Sequence, residues 1–131
     1  MDSGEDRALS GIGLDTADLV GNPFLDPNRA RKDVIAAYFN TNAFAQAKLG
    51  TFGNAGRNIL RGPGTFRVDF SAMKNFRFGE RFRLQYRSEF FNLFNTPLLN
   101  NPSSSFTSSR FGRITSARPP RIIQMALKLY W

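Results

Sequence analysis

A chain of 131 residues with 41% hydrophobic content is long enough for one ordinary domain, yet its total lack of cysteine and histidine excludes disulfides, thiolate metal sites and the commonest general base. The formal charge of +8 is unevenly spread: residues 1–56 hold 5 Lys and Arg against 7 Asp and Glu, and residues 57–131 hold 13 against 3. No run of about 18 apolar residues exists, which excludes a transmembrane helix but not membrane strands, which need only about 10 alternating residues each.

In chain order, Met1 to Asp6 is acidic and lacks the apolar stretch of a signal peptide. Residues 1–30 carry the breakers Gly21-Asn22-Pro23 and Asp26-Pro27-Asn28, which is loop chemistry. A short helix is predicted over Arg31 to Phe39, with Asn28 available as its cap. Residues 40–64 return to loop through Gly53-Asn54-Ala55-Gly56 and Arg61-Gly62-Pro63-Gly64. So long a segment with little regular structure is uncommon inside a compact domain, and residues 1–64 are therefore expected to form a long surface loop region.

From Thr65 the period becomes two. Phe66, Val68, Phe70 and Ala72 alternate with Arg67, Asp69 and Ser71; after a tight connection at 77–81, Phe82, Leu84, Tyr86, Ser88 and Phe90 alternate with Arg83, Gln85, Arg87 and Glu89. Two such runs around a short glycine-containing turn predict a β-hairpin, with strands at about 65–76 and 82–94. Asn95 to Ser109 reads as a second long loop, Phe111 to Arg118 as a short strand, and Pro119-Pro120 as an interruption of pairing. The last strand, 121–131, places Ile123, Met125, Leu127, Leu129 and Trp131 on one face and Ile122, Gln124, Ala126, Lys128 and Tyr130 on the other.

One-sided strands are usual in soluble antiparallel sheets, so alternation alone decides little. Three features favour a membrane barrel. The polar faces carry charge at most positions, as a wet lumen tolerates. Aromatic residues gather near the short turn (Phe76, Phe78, Phe82) and at the terminus (Tyr130, Trp131), as an interfacial girdle requires. A soluble edge strand ending on Tyr130-Trp131 with no charge or proline after it is an aggregation hazard. The fold class predicted is all-β: the last three or so antiparallel strands of a transmembrane β-barrel with long extracellular loops, not closed on its own. Short turns facing the periplasm and long loops facing outside put Trp131 on the periplasmic side of the outer membrane of a Gram-negative cell. Arg67, Asp69, Arg83, Gln85, Arg87 and Glu89 are then expected to face the lumen, and Phe66, Val68, Phe70, Leu84, Tyr86 and Phe90 the lipid.

Several blocks in order carry a family resemblance: Phe52-Gly53-Asn54-Ala55-Gly56-Arg57-Asn58-Ile59-Leu60-Arg61-Gly62-Pro63-Gly64, Asp69-Phe70-Ser71 with Lys74-Asn75-Phe76, Leu84 to Asn95, Phe111 to Arg118, and Ile123 to Leu129. Over roughly residues 19–131 the chain resembles the C-terminal part of the TonB-dependent outer-membrane receptors of acidobacteria, the Oar-like type with a carboxypeptidase-regulatory-like domain. The resemblance implies a barrel of about 22 strands, an N-terminal plug with a TonB-interacting box, and energy from the inner-membrane TonB complex. Plug and box are absent from this sequence, and three strands cannot close a barrel, so the chain is read as a gene fragment whose Met1 is not a true start, with a degenerate gene as the other reading. Trp131 stands where the family usually has Phe, and Ile122 where a polar residue is commoner.

The function expected is that of a C-terminal barrel segment of a transporter or receptor for a bulky nutrient. Its partners would be outer-membrane lipid, the rest of the barrel and plug, and the TonB complex. The barrel-assembly machinery would recognise Met125, Leu127, Leu129, Tyr130 and Trp131. No catalytic, cofactor or metal site is expected: Ser103 to Ser105 have no histidine partner, Asp69 and Glu89 read as lumen groups, and no loop of the calcium type occurs. Gly53, Gly56, Gly62 and Gly64 are turn glycines, since no Gly-Lys-Ser/Thr follows them. The alternative is a small basic nucleic-acid-binding β domain using Arg83, Arg87, Arg110, Arg113, Arg118 and Arg121. It requires aromatics and arginines on one face, whereas the alternation sets the aromatics on the face opposite Arg83 and Arg87.

Overall fold

A computed structural model describes residues 1–13 and 15–131. They divide into two compact units, one of residues 1–63 and 99–116, the other of residues 64–98 and 117–131. No helix among the described residues is long and apolar enough to cross a membrane.

The first unit is mostly irregular, as its Pro, Gly and Asn content predicts, but it is not a bare loop. Strand β1 (Asp18–Leu19) pairs antiparallel with β2 (Phe44–Ala45), and Ala17, Phe39, Ala43, Phe44 and Ala55 form a buried core. Phe39 meets Phe44 and Phe111 edge-on at ring-centroid distances of 5.5 and 5.2 Å, and Phe106 meets Phe111 at 5.4 Å. The segment 99–116, expected as a separate loop and a short strand, therefore belongs to this unit. The predicted strand over Phe111 to Arg118 does not form. The Gly112 carbonyl accepts from the Tyr38 N–H at 2.8 Å, the Ile114 N–H donates to the Ile35 carbonyl at 3.0 Å, and Phe111 joins Ser103 by an isolated bridge.

Helix α1 spans Arg31–Ala36, shorter than predicted, because Ala37 is extended (φ −148°, ψ 94°) and Tyr38 turns its N–H to Gly112. Asn28 is not the cap. Ala30 occupies that position without a side-chain bond, while the Asn28 N–H donates to the Asp26 carboxylate at 2.8 Å. Arg29 does the tying instead, donating to the Asp26 carbonyl at 2.8 Å and the Ala37 carbonyl at 2.9 Å. Gly53 is required by close approach: a Cβ there would sit 1.9 Å from the Thr16 carbonyl oxygen, at the point where the Ala55 N–H donates to Ala17.

The second unit is an open antiparallel sheet of β3 (Phe70–Phe78), β4 (Phe82–Phe91) and β5 (Ile122–Tyr130), in that order. The hairpin turn is the three residues Gly79 to Arg81, with Gly79 at φ +65°, where a missing Cβ removes the strain. It is tighter than the predicted 77–81 because Arg77 pairs with Arg83 and Phe78 with Phe82. β3 begins at Phe70 rather than Thr65, so Phe66, Arg67, Val68 and Asp69 stand outside it. The cause lies opposite: Asn92 takes φ +56° and bonds Thr96 twice through its side chain, ending β4 at Phe91 rather than Phe94. Beyond that break Leu93 N–H still reaches the Val68 carbonyl at 2.8 Å, but the ladder register is lost.

Candidate functional surfaces of the three-stranded sheet

Residues paired across an antiparallel ladder point to the same face, so the register sorts the side chains. One face carries the rows Phe70–Phe90–Ile123, Ala72–Ser88–Met125, Lys74–Tyr86–Leu127 and Phe76–Leu84–Leu129, with the pair Phe78–Phe82 at the turn. The other carries Ser71–Glu89–Gln124, Met73–Arg87–Ala126, Asn75–Gln85–Lys128 and Arg77–Arg83–Tyr130. Phe91 and Ile122 also lie on this second face.

Neither face is covered by another layer. Met125 and Leu127 are 69% and 68% exposed, and every residue of β3 and β5 is exposed. A contiguous uncovered apolar face of this extent is not what a water-soluble sheet presents. The second face is wet chemistry: Gln85 donates to the Asn75 side chain at 3.0 Å, and Arg87 is ion-paired to Glu89 two residues along. Arg83 stacks over the Tyr130 ring, its guanidinium carbon 4.4 Å from the centroid, a cation–π geometry.

Of the residues singled out from the sequence, Arg83, Gln85, Arg87 and Glu89 thus share one face, and Phe70, Leu84, Tyr86 and Phe90 share the other. Met125, Leu127 and Leu129 join the apolar face, while Tyr130 falls on the polar one. Trp131 lies past the end of β5 and is 88% exposed. Phe66, Arg67, Val68 and Asp69 precede β3 and lie outside its paired rows, although the Arg67 guanidinium carbon stands 5.9 Å from the centroid of the Phe91 ring on the charged face. Aromatics and arginines are not wholly separated either, since Tyr130 and Phe91 stand on the arginine face. Two residues were given no face from the sequence. Lys74 is the one charged residue in the apolar rows, and its phase was readable by counting back from Phe76. Arg77, read as part of the turn, is instead a strand residue facing Arg83.

Arg67 and Asp69 are also tied to one another and to the end of β4. The Arg67 guanidinium binds the Asp69 carboxylate at 2.7 Å, and the Asn92 N–H donates to the same oxygen at 2.8 Å. These bonds hold the Asp69 carboxyl below the usual carboxylate range, the Arg67 bond foremost. Because the folded value is depressed, the stabilisation is complete above the unfolded value of about 4 and is lost as pH falls through the folded one. The Asn92 amide proton is therefore expected to titrate below about pH 4 in NMR spectra, and Asp69→Asn to abolish that titration. An unchanged titration in the variant would assign it to another group.

A family model described as an outer membrane beta barrel domain matches residues 1–124. No curated protein matches the chain, and no solved structure does.

Proposed function

The chain belongs to the outer membrane beta barrel domain family, which makes it an outer-membrane barrel protein, and on that premise we propose that it is the C-terminal barrel segment of a TonB-dependent transporter for a bulky nutrient. The observation that carries the reading is the two-faced open sheet. An apolar face suits lipid, a charged face suits a water-filled lumen, and three strands with unpaired outer edges need further strands to satisfy their backbone groups.

In this reading Phe70, Leu84, Tyr86, Phe90 and the Ile123, Met125, Leu127, Leu129 row face lipid, and Arg83, Gln85, Arg87 and Glu89 face the lumen. β5 pairs on its free edge with the first strand of the parent barrel, and its terminal aromatic residues are read by the barrel-assembly machinery. The short turn Gly79–Arg81 and Trp131 lie on the periplasmic side. Plug and TonB complex act through parts of the parent that this sequence does not include. The segment has no catalytic role. Lys74 is the feature this reading must accommodate. A cation at the bilayer midplane costs about 2–4 kcal/mol unless its stem carries the ammonium toward an interface.

The coding sequence upstream of Met1 tests the fragment reading, and uptake tests transport. An open frame running into Met1 and encoding further alternating strands and a plug is the expected result. Cells carrying that parent should lose nutrient uptake when the inner-membrane proton gradient is collapsed. A promoter and ribosome site directly before Met1, or uptake indifferent to the gradient, would overturn the proposal.

A further inference from the structure

The charged face neutralises itself at one end of the sheet and not at the other. Toward Phe91, Arg87 is ion-paired to Glu89. Toward the turn, Arg77 stands directly opposite Arg83, and like charges so placed weaken a strand pair. Arg81 lies in the turn between them, and among the described residues none of the three forms an ion pair. Lys128 adds a fourth cation one row away, in register with Gln85. The three arginines, with Glu80 and Tyr130, line a shallow concavity of about 550 Å³.

Tyr130 covers one plane of the Arg83 guanidinium and leaves its N–H edge free for an in-plane acceptor. Three guanidinium forks around a concavity, with one carboxylate among them, amount to an uncompensated charge of about two. A lone carboxylate is monovalent and planar. A phosphoryl group brings two charges and tetrahedrally arranged oxygens that can take bidentate bonds from arginines in different planes. We propose that this concavity at the turn end of the charged face binds a phosphoryl-type dianion, carried either by a free phosphate compound or by a phosphomonoester headgroup. The proposal rests on the β3–β4–β5 register and the Arg83–Tyr130 stacking, and stands apart from the transport reading.

Trp131, the sole tryptophan of the chain, follows Tyr130 directly and supplies a fluorescence reporter. The full chain, refolded in phosphate-free detergent micelles, is titrated with pyrophosphate and separately with chloride at matched ionic strength. A saturable change is expected with pyrophosphate only, weakened about tenfold or more in the Arg77→Gln/Arg83→Gln double variant. Pyrophosphate should also raise the urea midpoint of the unaltered chain, a readout that does not depend on any variant folding. Micelles containing phosphatidic acid distinguish the sources: competition with pyrophosphate assigns a headgroup, and its absence assigns a soluble anion. Equal responses to chloride and pyrophosphate, or equal responses of chain and double variant, would overturn the site. Saturation by oligoglutamate but not by pyrophosphate would overturn it in favour of an acidic polypeptide.

Discussion

Replacing Leu127 by Arg is expected to weaken association of the chain with phospholipid vesicles by roughly 30- to 700-fold, the equivalent of about 2–4 kcal/mol for an arginine at the bilayer midplane. Leu127 is the sixth of the nine residues of β5, in register with Tyr86 on the apolar face, and has no protein layer over it. The control lies three residues away. Gln124 is in register with Glu89 on the charged face, and Gln124→Arg should leave vesicle association within about twofold of the unaltered chain. Vesicle flotation across a lipid titration measures both. In water without lipid the unaltered chain should aggregate, because its apolar face is uncovered, and Leu127→Arg should slow that aggregation. The opposite signs matter, since a variant that merely unfolded would lose vesicle binding without becoming more soluble. Equal losses for Leu127→Arg and Gln124→Arg would mean that the two faces are not lipid and lumen.

The second large effect lies in the first unit. Phe39 is 2% exposed and stands between Phe44 and Phe111 in two edge-to-face contacts. Phe39→Ala is expected to cost about 3–5 kcal/mol, the usual range for truncating a buried phenylalanine, and the unit has few other buried apolar side chains with which to absorb it. Phe52, 71% exposed, is the comparator, and Phe52→Ala should change stability by no more than about 0.5 kcal/mol. Hydrogen exchange at the Tyr38 and Ile114 amides reads the effect directly, because their partners are the Gly112 and Ile35 carbonyls that the core holds in place. Protection retained in Phe39→Ala would show that the loop backbone, not the aromatic cluster, carries the unit.

The sheet was legible in the sequence because strand period and side-chain face are the same thing: a residue's parity decides which side it takes. Hence Arg83, Arg87 and Glu89 on one side, with Leu84, Tyr86 and Phe90 on the other, needed no coordinates, and neither did a short glycine-containing turn within 77–81, although its ends did. Parity cannot tell where a ladder stops. Phe66 to Asp69 alternate as well as Phe70 to Lys74 do, and only the left-handed Asn92 on the neighbouring strand, with its double bond to Thr96, ends the register there. Nor can parity reveal cross-strand neighbours, so the opposition of Arg77 to Arg83 and the stacking of Arg83 on Tyr130 come from the sheet alone.

The first unit shows the sharper division. Its loop character over residues 1–64 follows from Pro, Gly and Asn punctuation, whereas Phe111 to Arg118 alternates enough to read as a strand that does not form. Its core was not readable. Phe39, Phe44, Phe106 and Phe111 sit at no helical or strand spacing, and two come from a segment some 60 residues further along, so no local pattern joins them. By itself the sequence determined the alternating strands, the two faces, the tight turn and the irregular character of the remainder, because each is set by residues near one another in the chain. Only the tertiary structure decided where the ladders end, which cations oppose one another, and that residues 1–63 and 99–116 fold around one aromatic cluster. Each of those depends on a partner distant in sequence, whose position is set by packing and hydrogen bonding rather than by period.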